Sequence, residues 1–257
     1  MPLVTALVTG ASSGLGAGFA KLCAAGGYDV VLLARRAPRL HQLAADLAKT
    51  YGIKARPLVA DLADSAAPAA IFEQLNGTPI DILINNAGFG MRGPFAESDW
   101  ARGAGLIEVN MVALAHLTRL FLPQMIHRRG GRILNVASTA AFVPGPFMAL
   151  YYASKAFVLS FSEALANEVR GTGVTVTVLC PGATATEFAQ AAGVEGSDLF
   201  HGPVMGAAEV ARIGYDAMMA GQPSVIAGAR NRWLIRGTRL VPRNFVAAQT
   251  RKLNWGK

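Results

Sequence analysis

The sequence predicts an α/β fold built on one doubly wound, parallel sheet. Three observations predict it. Seven apolar runs recur along the 257 residues, six stretches of helical pattern lie between them, and a glycine-rich turn joins the first run to the first helix. Runs this continuous suit strands covered on both faces. Strands that alternate with helices form parallel βαβ units. Hydrophobic residues make up 52% of the chain and charged ones 16%, which supports a sizeable core and excludes global disorder.

Taken in order, residues 4–8 open the sheet. The N-terminus is apolar but lacks a basic leader and runs straight into glycines, so it reads as a strand and not as a signal peptide. TGASSGLG follows, Thr9 to Gly16, and enters a helix at 14–25. Gly10, Gly14 and Gly16 allow a tight turn and close backbone approach. The helix N-terminus offers N–H groups and a positive dipole end to a pyrophosphate. Glycines set between a strand and a helix of a βαβ unit make a dinucleotide loop of Rossmann type, with Ser12, Ser13 and Leu15 among its residues.

The second strand, 29–33, ends in LLARR. A carboxylate at this edge would bind the adenosine ribose and repel a 2′-phosphate. Ala34 stands there instead, and Arg35, Arg36 and Arg39 follow into a helix at 38–50. Cations here suit a 2′-phosphate, so the expected cofactor is NADP(H). The third strand, 54–59, leads to ADL, where Asp61, beside Leu62, can accept from the adenine amino group.

A helix at 66–75 and a strand at 80–84 lead to NNAG, 85–88. A helix at 100–128 contains EVN, ending at Asn110. A strand at 132–136 leads to NVAS, ending at Ser138. The helix at 149–170 carries YYASK. Tyr151 lies four residues before Lys155 and Tyr152 three, and both spacings bring a tyrosine near the lysine, so helical geometry leaves both open. A strand at 174–179 precedes PGATAT, and a helix at 207–220 and a strand at 224–227 complete the sheet. The long segment 184–205, with Phe188, Leu199, Phe200 and Met205, breaks the rhythm and is expected to be functional.

The totals narrow the function. No apolar run reaches the roughly 18–20 residues of a membrane-spanning helix. Cys23 and Cys180 lie far apart in apolar contexts and read as buried thiols of a reducing, cytoplasmic compartment. The four histidines show no ligand spacing, so no metal is expected. Eight of the 24 basic residues lie at 230–257 without a single acid, and the other 16 balance the 16 acids upstream. A neutral body argues against nucleic-acid binding.

The motifs together resemble the short-chain dehydrogenase/reductase family. The resemblance covers residues 3 to about 228 and rests on TGASSGLG, NNAG, the Asn110 of EVN, NVAS, YYASK and Pro181–Gly182, in that order. It implies an NADP(H)-dependent oxidoreductase with Ser138, Tyr151, Lys155 and Asn110 as catalytic residues. Family spacing selects Tyr151 as the acid/base, since the family uses Tyr-x-x-x-Lys with the serine about a dozen residues upstream. Tyr152 then becomes a packing residue. A lysine one turn away favours the phenolate and is expected to lower the tyrosine pKa from about 10. A serine hydroxyl can hold the carbonyl oxygen. The resemblance further implies a kinked helix at Asn110 and a water link from its backbone to Lys155. It puts Asn86, Ala87 and Gly88 near the cofactor ribose, Pro181, Gly182, Thr184 and Thr186 near the nicotinamide, and a homodimer or homotetramer on helices 100–128 and 149–170.

Residues expected to border the substrate are apolar: Phe89, Phe142, Val143, Pro144, Phe147 and Met148, with Phe188, Leu199, Phe200 and Met205 from the long segment. They point to a hydrophobic ketone, aldehyde or alcohol. An acyl-carrier-protein substrate is the alternative, met by the basic tail, and a non-catalytic dinucleotide sensor is a third reading that would not need the Ser–Tyr–Lys set. The tail alternates cations with Trp, Leu, Ile and Phe. Gly237 and Pro242 divide it into two short helices. Its expected role is a flap over the cleft, in preference to a membrane-surface contact.

Overall fold

The computed structural model describes residues 4–194, 204–238 and 240–255. Seven parallel strands form the main sheet: β1 Thr5–Thr9, β2 Asp29–Ala34, β3 Ala55–Val59, β4 Ile82–Asn85, β5 Gly131–Val136, β6 Val174–Cys180 and β9 Ser224–Ile226. Their spatial order is β3-β2-β1-β4-β5-β6-β9. β1 lies inside the sheet, with Leu7 in register with Val31 of β2 and Leu83 of β4. The winding reverses between β1 and β4, which opens a crevice at the carboxyl ends of these strands.

Alternation along β1 shows the two layers. Ala6 and Val8 face α1 Gly14–Ala25, α2 Ala37–Tyr51 and α8 Ala207–Met219, meeting Phe19, Leu40 and Val210. Leu7 faces α3 Ala67–Gln74, α5 Ala113–His127 and α6 Ala149–Glu168, meeting Ile71, Phe121 and Leu165. A buried polar chain ties the second layer to the sheet: Asn85 donates to Thr118 Oγ1 and to Asn135 Oδ1, and Asn135 donates to Ser162 Oγ, at 2.9–3.0 Å.

The helix expected at 100–128 is α4 Trp100–Ile107, a π-helical turn Glu108–Val112, and α5. By length and composition the span Trp100–His127 could cross a membrane, contrary to expectation. Leu106, Val109, Leu117, Phe121 and Met125 are nonetheless buried in the protein. Within 184–206, β7 Thr184–Ala185 pairs with β8 Met205–Gly206, and α7 Phe188–Ala192 lies between them. Leu199 and Phe200 fall outside the described residues. The tail is two helices, α9 Ala229–Thr238 along the sheet edge at β9 and α10 Arg243–Trp255.

Candidate active site

A cleft of about 450 Å³ opens at the carboxyl ends of β1, β4 and β5, within the roughly 300–1,000 Å³ of ligand sites. At one end lies the glycine loop. Gly10 and Gly14 hold φ of 66° and 54°, a left-handed conformation that favours glycine. A Cβ on Gly16 would lie 2.2 Å from the Gly10 carbonyl oxygen, so α1 and the loop touch backbone to backbone. Ser13 caps α1 without a side-chain bond to it, which leaves the first-turn N–H groups to an anion. Thr9, not singled out in the sequence, ties the loop to NNAG. Its Oγ1 accepts from the N–H of both Asn86 and Ala87 at 2.9 Å, and Asn86 Nδ2 donates to the Thr9 carbonyl. These residues fit a dinucleotide pyrophosphate.

The adenosine edge is as cationic as expected, but its cations are engaged. Arg35 pairs with Asp61 at 3.5 Å, both well exposed, and Asp61 also accepts from the Ala63 N–H. Arg36 donates to Ser12 and Ser13, and both Arg36 and Arg39 meet Glu187. Arg39 stands outside the cleft lining, whereas Arg35, Arg36 and Leu62 are part of it.

At the other end, Ser138 leaves β5 and Tyr151 and Lys155 project from α6, and the structure brings the three together. The Ser138 side chain lies near the Tyr151 phenol and favours its ionised form, while the serine hydroxyl donates to the Pro181 carbonyl at 3.4 Å. The Ser138 hydroxyl also accepts from the Ala140 N–H at 3.1 Å. Lys155 Nζ donates to the Val136 carbonyl at 2.8 Å and lies 5.9 Å from the Tyr151 ring centroid. Burial pushes the Tyr151 phenol above its ordinary value, which the neighbouring Ser138 hydroxyl only partly offsets. Burial also pulls Lys155 down to about 8. The expected lowering of the tyrosine pKa by the lysine is therefore not seen in the protein alone, where desolvation raises it. Asn110 sits in the π turn and clamps Phe89, accepting from its N–H at 3.1 Å and donating to its carbonyl at 3.0 Å. Gly88 fits beside this clamp, since a Cβ there would lie 3.0 Å from Asn110 Oδ1 and 3.4 Å from Lys155 Nζ.

The two tyrosines diverge. The Tyr152 hydroxyl donates to Asn254 Oδ1 of α10 at 3.0 Å, and its ring lies so close to Gly145 that a Cβ there would sit 2.1 Å away. Tyr152 is thus a packing residue, with its ring at the cleft wall and its hydroxyl tied to the C-terminal helix.

Pro181, Gly182, Thr184 and Thr186 line the cleft on the far side. Thr184 Oγ1 donates to the Gly182 carbonyl, and Thr186 Oγ1 accepts from the Phe188 N–H. Of the apolar residues expected at the substrate, Phe89, Met148 and Phe188 line the cleft, joined by Ala191 and Val194. Phe142 instead lines a hollow beneath α9 with Ile226 and Ile235, Phe147 stacks under Trp255 at 4.2 Å, and Met205 packs in the core layer of α1 and α8. Val143 packs behind the cleft, and Pro144 is not among its lining residues. No cluster of His, Cys, Asp and Glu able to hold a metal exists among the described residues.

Residues 4–195 match the short chain dehydrogenase family. The chain belongs to this family. The family is one of oxidoreductases that use nicotinamide cofactors. A short-chain dehydrogenase from Sphingobium yanoikuyae, solved in complex with NADPH, is 35% identical with a TM-score of 0.84, covering 93% of this chain and 94% of that one. A bulky-bulky ketone specific alcohol dehydrogenase from Comamonas testosteroni is 29% identical with a TM-score of 0.79 and 93% of each chain covered. The ketoacyl reductase HetN of Nostoc sp. is 38% identical over 180 residues, 69% of this chain and 62% of that protein. The chain thus spans less than two thirds of the length of this curated relative.

Proposed function

We propose that this chain is an NADP(H)-dependent oxidoreductase that interconverts a hydrophobic ketone or aldehyde and its alcohol. The observation that carries the reading is the convergence of Ser138, Tyr151 and Lys155 at an apolar end of a cleft whose other end is cationic. NADP(H), held by the glycine loop and the Asn86–Gly88 turn, would supply or take the hydride at the carbonyl carbon. Ser138 donates to the carbonyl oxygen and steadies its developing charge. Tyr151 donates the proton that the alkoxide needs, or removes it in the reverse direction. Lys155, poised near neutrality by burial, completes the proton path. Phe89, Met148 and Phe188 exclude water and select apolar substituents. Arg35 and Arg36 at the cleft, with Arg39 joined to Arg36 through Glu187, supply the cations for the 2′-phosphate.

A panel of aliphatic, aromatic and steroidal ketones tests this by loss of the reduced nicotinamide. Turnover is expected with NADPH above NADH, and phosphorylated or carboxylated sugars should be poor substrates. Equal kcat/KM with the two cofactors would remove the NADP(H) assignment, and no turnover of any carbonyl would favour the sensor reading. Arg36→Ala should lower the NADPH preference about tenfold, the size of one lost charge-assisted hydrogen bond. A second reading, reduction of a 3-oxoacyl thioester, is favoured by the likeness to a ketoacyl reductase and by the basic tail. Faster turnover of 3-oxoacyl thioesters than of simple ketones would select it. A cytoplasmic location and a homodimer or homotetramer complete the proposal, and light scattering showing only a 26.9 kDa particle would contradict the assembly.

A further inference from the structure

Glu187 carries no motif, yet it holds the adenosine edge. Its Oε2 accepts from Arg36 Nη1 and its Oε1 from Arg39 Nη1, each at 2.6 Å. The remaining nitrogens of Arg36 donate to Ser12 Oγ, at 2.9 and 3.1 Å, and to Ser13 Oγ at 2.6 Å. Two guanidinium groups and two hydroxyls thus form an anion cradle at the end of β2, and a carboxylate of the chain itself sits in it. The hydrogen bonds from Arg36 and Arg39 hold that carboxyl down at about 2, so it stays ionised at any working pH. The neighbours of Glu187 reach the reacting end. Thr186 lies against the loop at Gly14, and the Phe188 ring lies 5.2 Å from that of Tyr151.

We propose that Glu187 is a specificity-determining residue, an internal competitor that occupies the Arg36–Arg39 cradle and yields it to the 2′-phosphate of NADP(H). The inference rests on the NADP(H) reading above. A phosphate monoester brings about −1.5 to −2 charges and three acceptor oxygens, against one charge and two oxygens for the carboxylate, so it displaces Glu187. A cofactor without the 2′-phosphate has nothing to put in its place and meets arginines already neutralised. The competitor sets how strongly the two cofactors are told apart, and its release frees the strand-to-helix segment that bears Thr186 and Phe188.

The test is the affinity of the full chain for 2′,5′-ADP, which has the 2′-phosphate, and for 5′-ADP, which lacks it. Glu187→Gln should tighten 2′,5′-ADP by roughly threefold to tenfold, the equivalent of two exposed ion pairs, and change 5′-ADP far less. The gain should shrink at high salt. Glu187→Asp, too short to span both arginines, should fall between the wild type and Glu187→Gln. Unchanged or weaker 2′,5′-ADP binding in Glu187→Gln overturns the competition and makes Glu187 a support that orders the arginines. A wild type that binds both nucleotides equally would instead show that the NADP(H) reading itself had failed.

Discussion

The cofactor end and the substrate end of one cleft are built in different ways. The cofactor end is made of short turns at the ends of β1, β2 and β4, where backbone meets backbone. Gly10, Gly14 and Gly16 are required there by positive φ or close approach, and Thr9 and Asn86 lock two such turns together. The substrate end is made of side chains brought from far along the chain. Asn254 of α10 is fully buried, accepts from Tyr152 and donates to the Pro146 carbonyl at 2.8 Å, partners more than 100 residues away. Trp255 stacks on Phe147, whose φ is 64°, and Arg92 contacts the Trp255 carbonyl and ring. A backbone-built site tolerates almost no change of residue type. A side-chain-built site can be re-formed with other residues, and it depends on the C-terminal helices for its shape.

The largest effect is expected from removing those helices. Deletion of 229–257 uncovers Tyr152, Phe147 and Gly182, against which Asn231 of α9 packs. It should cost on the order of 4 kcal/mol or more, the range of disrupted buried networks, seen as a lower Tm in plain buffer. Normal stability and activity after truncation, with loss of binding to anionic vesicles, would favour the membrane-surface role instead. Trp233, Leu234, Leu240 and Phe245 are exposed beside the tail cations and keep that alternative testable.

Next in size, Gly16→Ala should weaken cofactor binding by roughly tenfold to a hundredfold, as expected for 1–3 kcal/mol of overpacking. Calorimetric titration checks it, and wild-type affinity would mean that the loop is not held as described. Smaller again, Asn254→Ala leaves the Tyr152 hydroxyl and the Pro146 carbonyl without their partner and should cost about 1–3 kcal/mol of stability. It should raise KM more than it lowers kcat. A fall in kcat alone would place Asn254 in the proton path and blur the division between the two ends.

The same contrast explains what could be read from the sequence. The seven strands and the glycine loop were legible because each is a local pattern of apolar runs or glycines, and the helices between the strands implied that they run parallel. Ser138, Tyr151 and Lys155 were legible only through their spacing within a known family, since on a helix Tyr152 lies as near to Lys155. Glu187 and Asn254 were not legible, because nothing local marks a residue whose partners lie 102 to 151 positions away. For the same reason only three of the eight described residues of the expected apolar wall, Phe89, Met148 and Phe188, line the cleft. Phe147 and Phe142 have the composition of a substrate pocket, but α10 and α9 cover them.

The adjacent tyrosines belong one to each mode of construction, and they give the most direct test. The measurement is kcat for reduction of the best ketone with NADPH, in the wild type and in Tyr151→Phe and Tyr152→Phe. Tyr151→Phe keeps the buried ring and removes the proton donor, so turnover should fall by on the order of 10² or more. Tyr152→Phe loses one hydrogen bond to Asn254, about 1 kcal/mol of stability, and should keep most of its turnover. Near-normal turnover in Tyr151→Phe, with the loss appearing in Tyr152→Phe, would contradict the account.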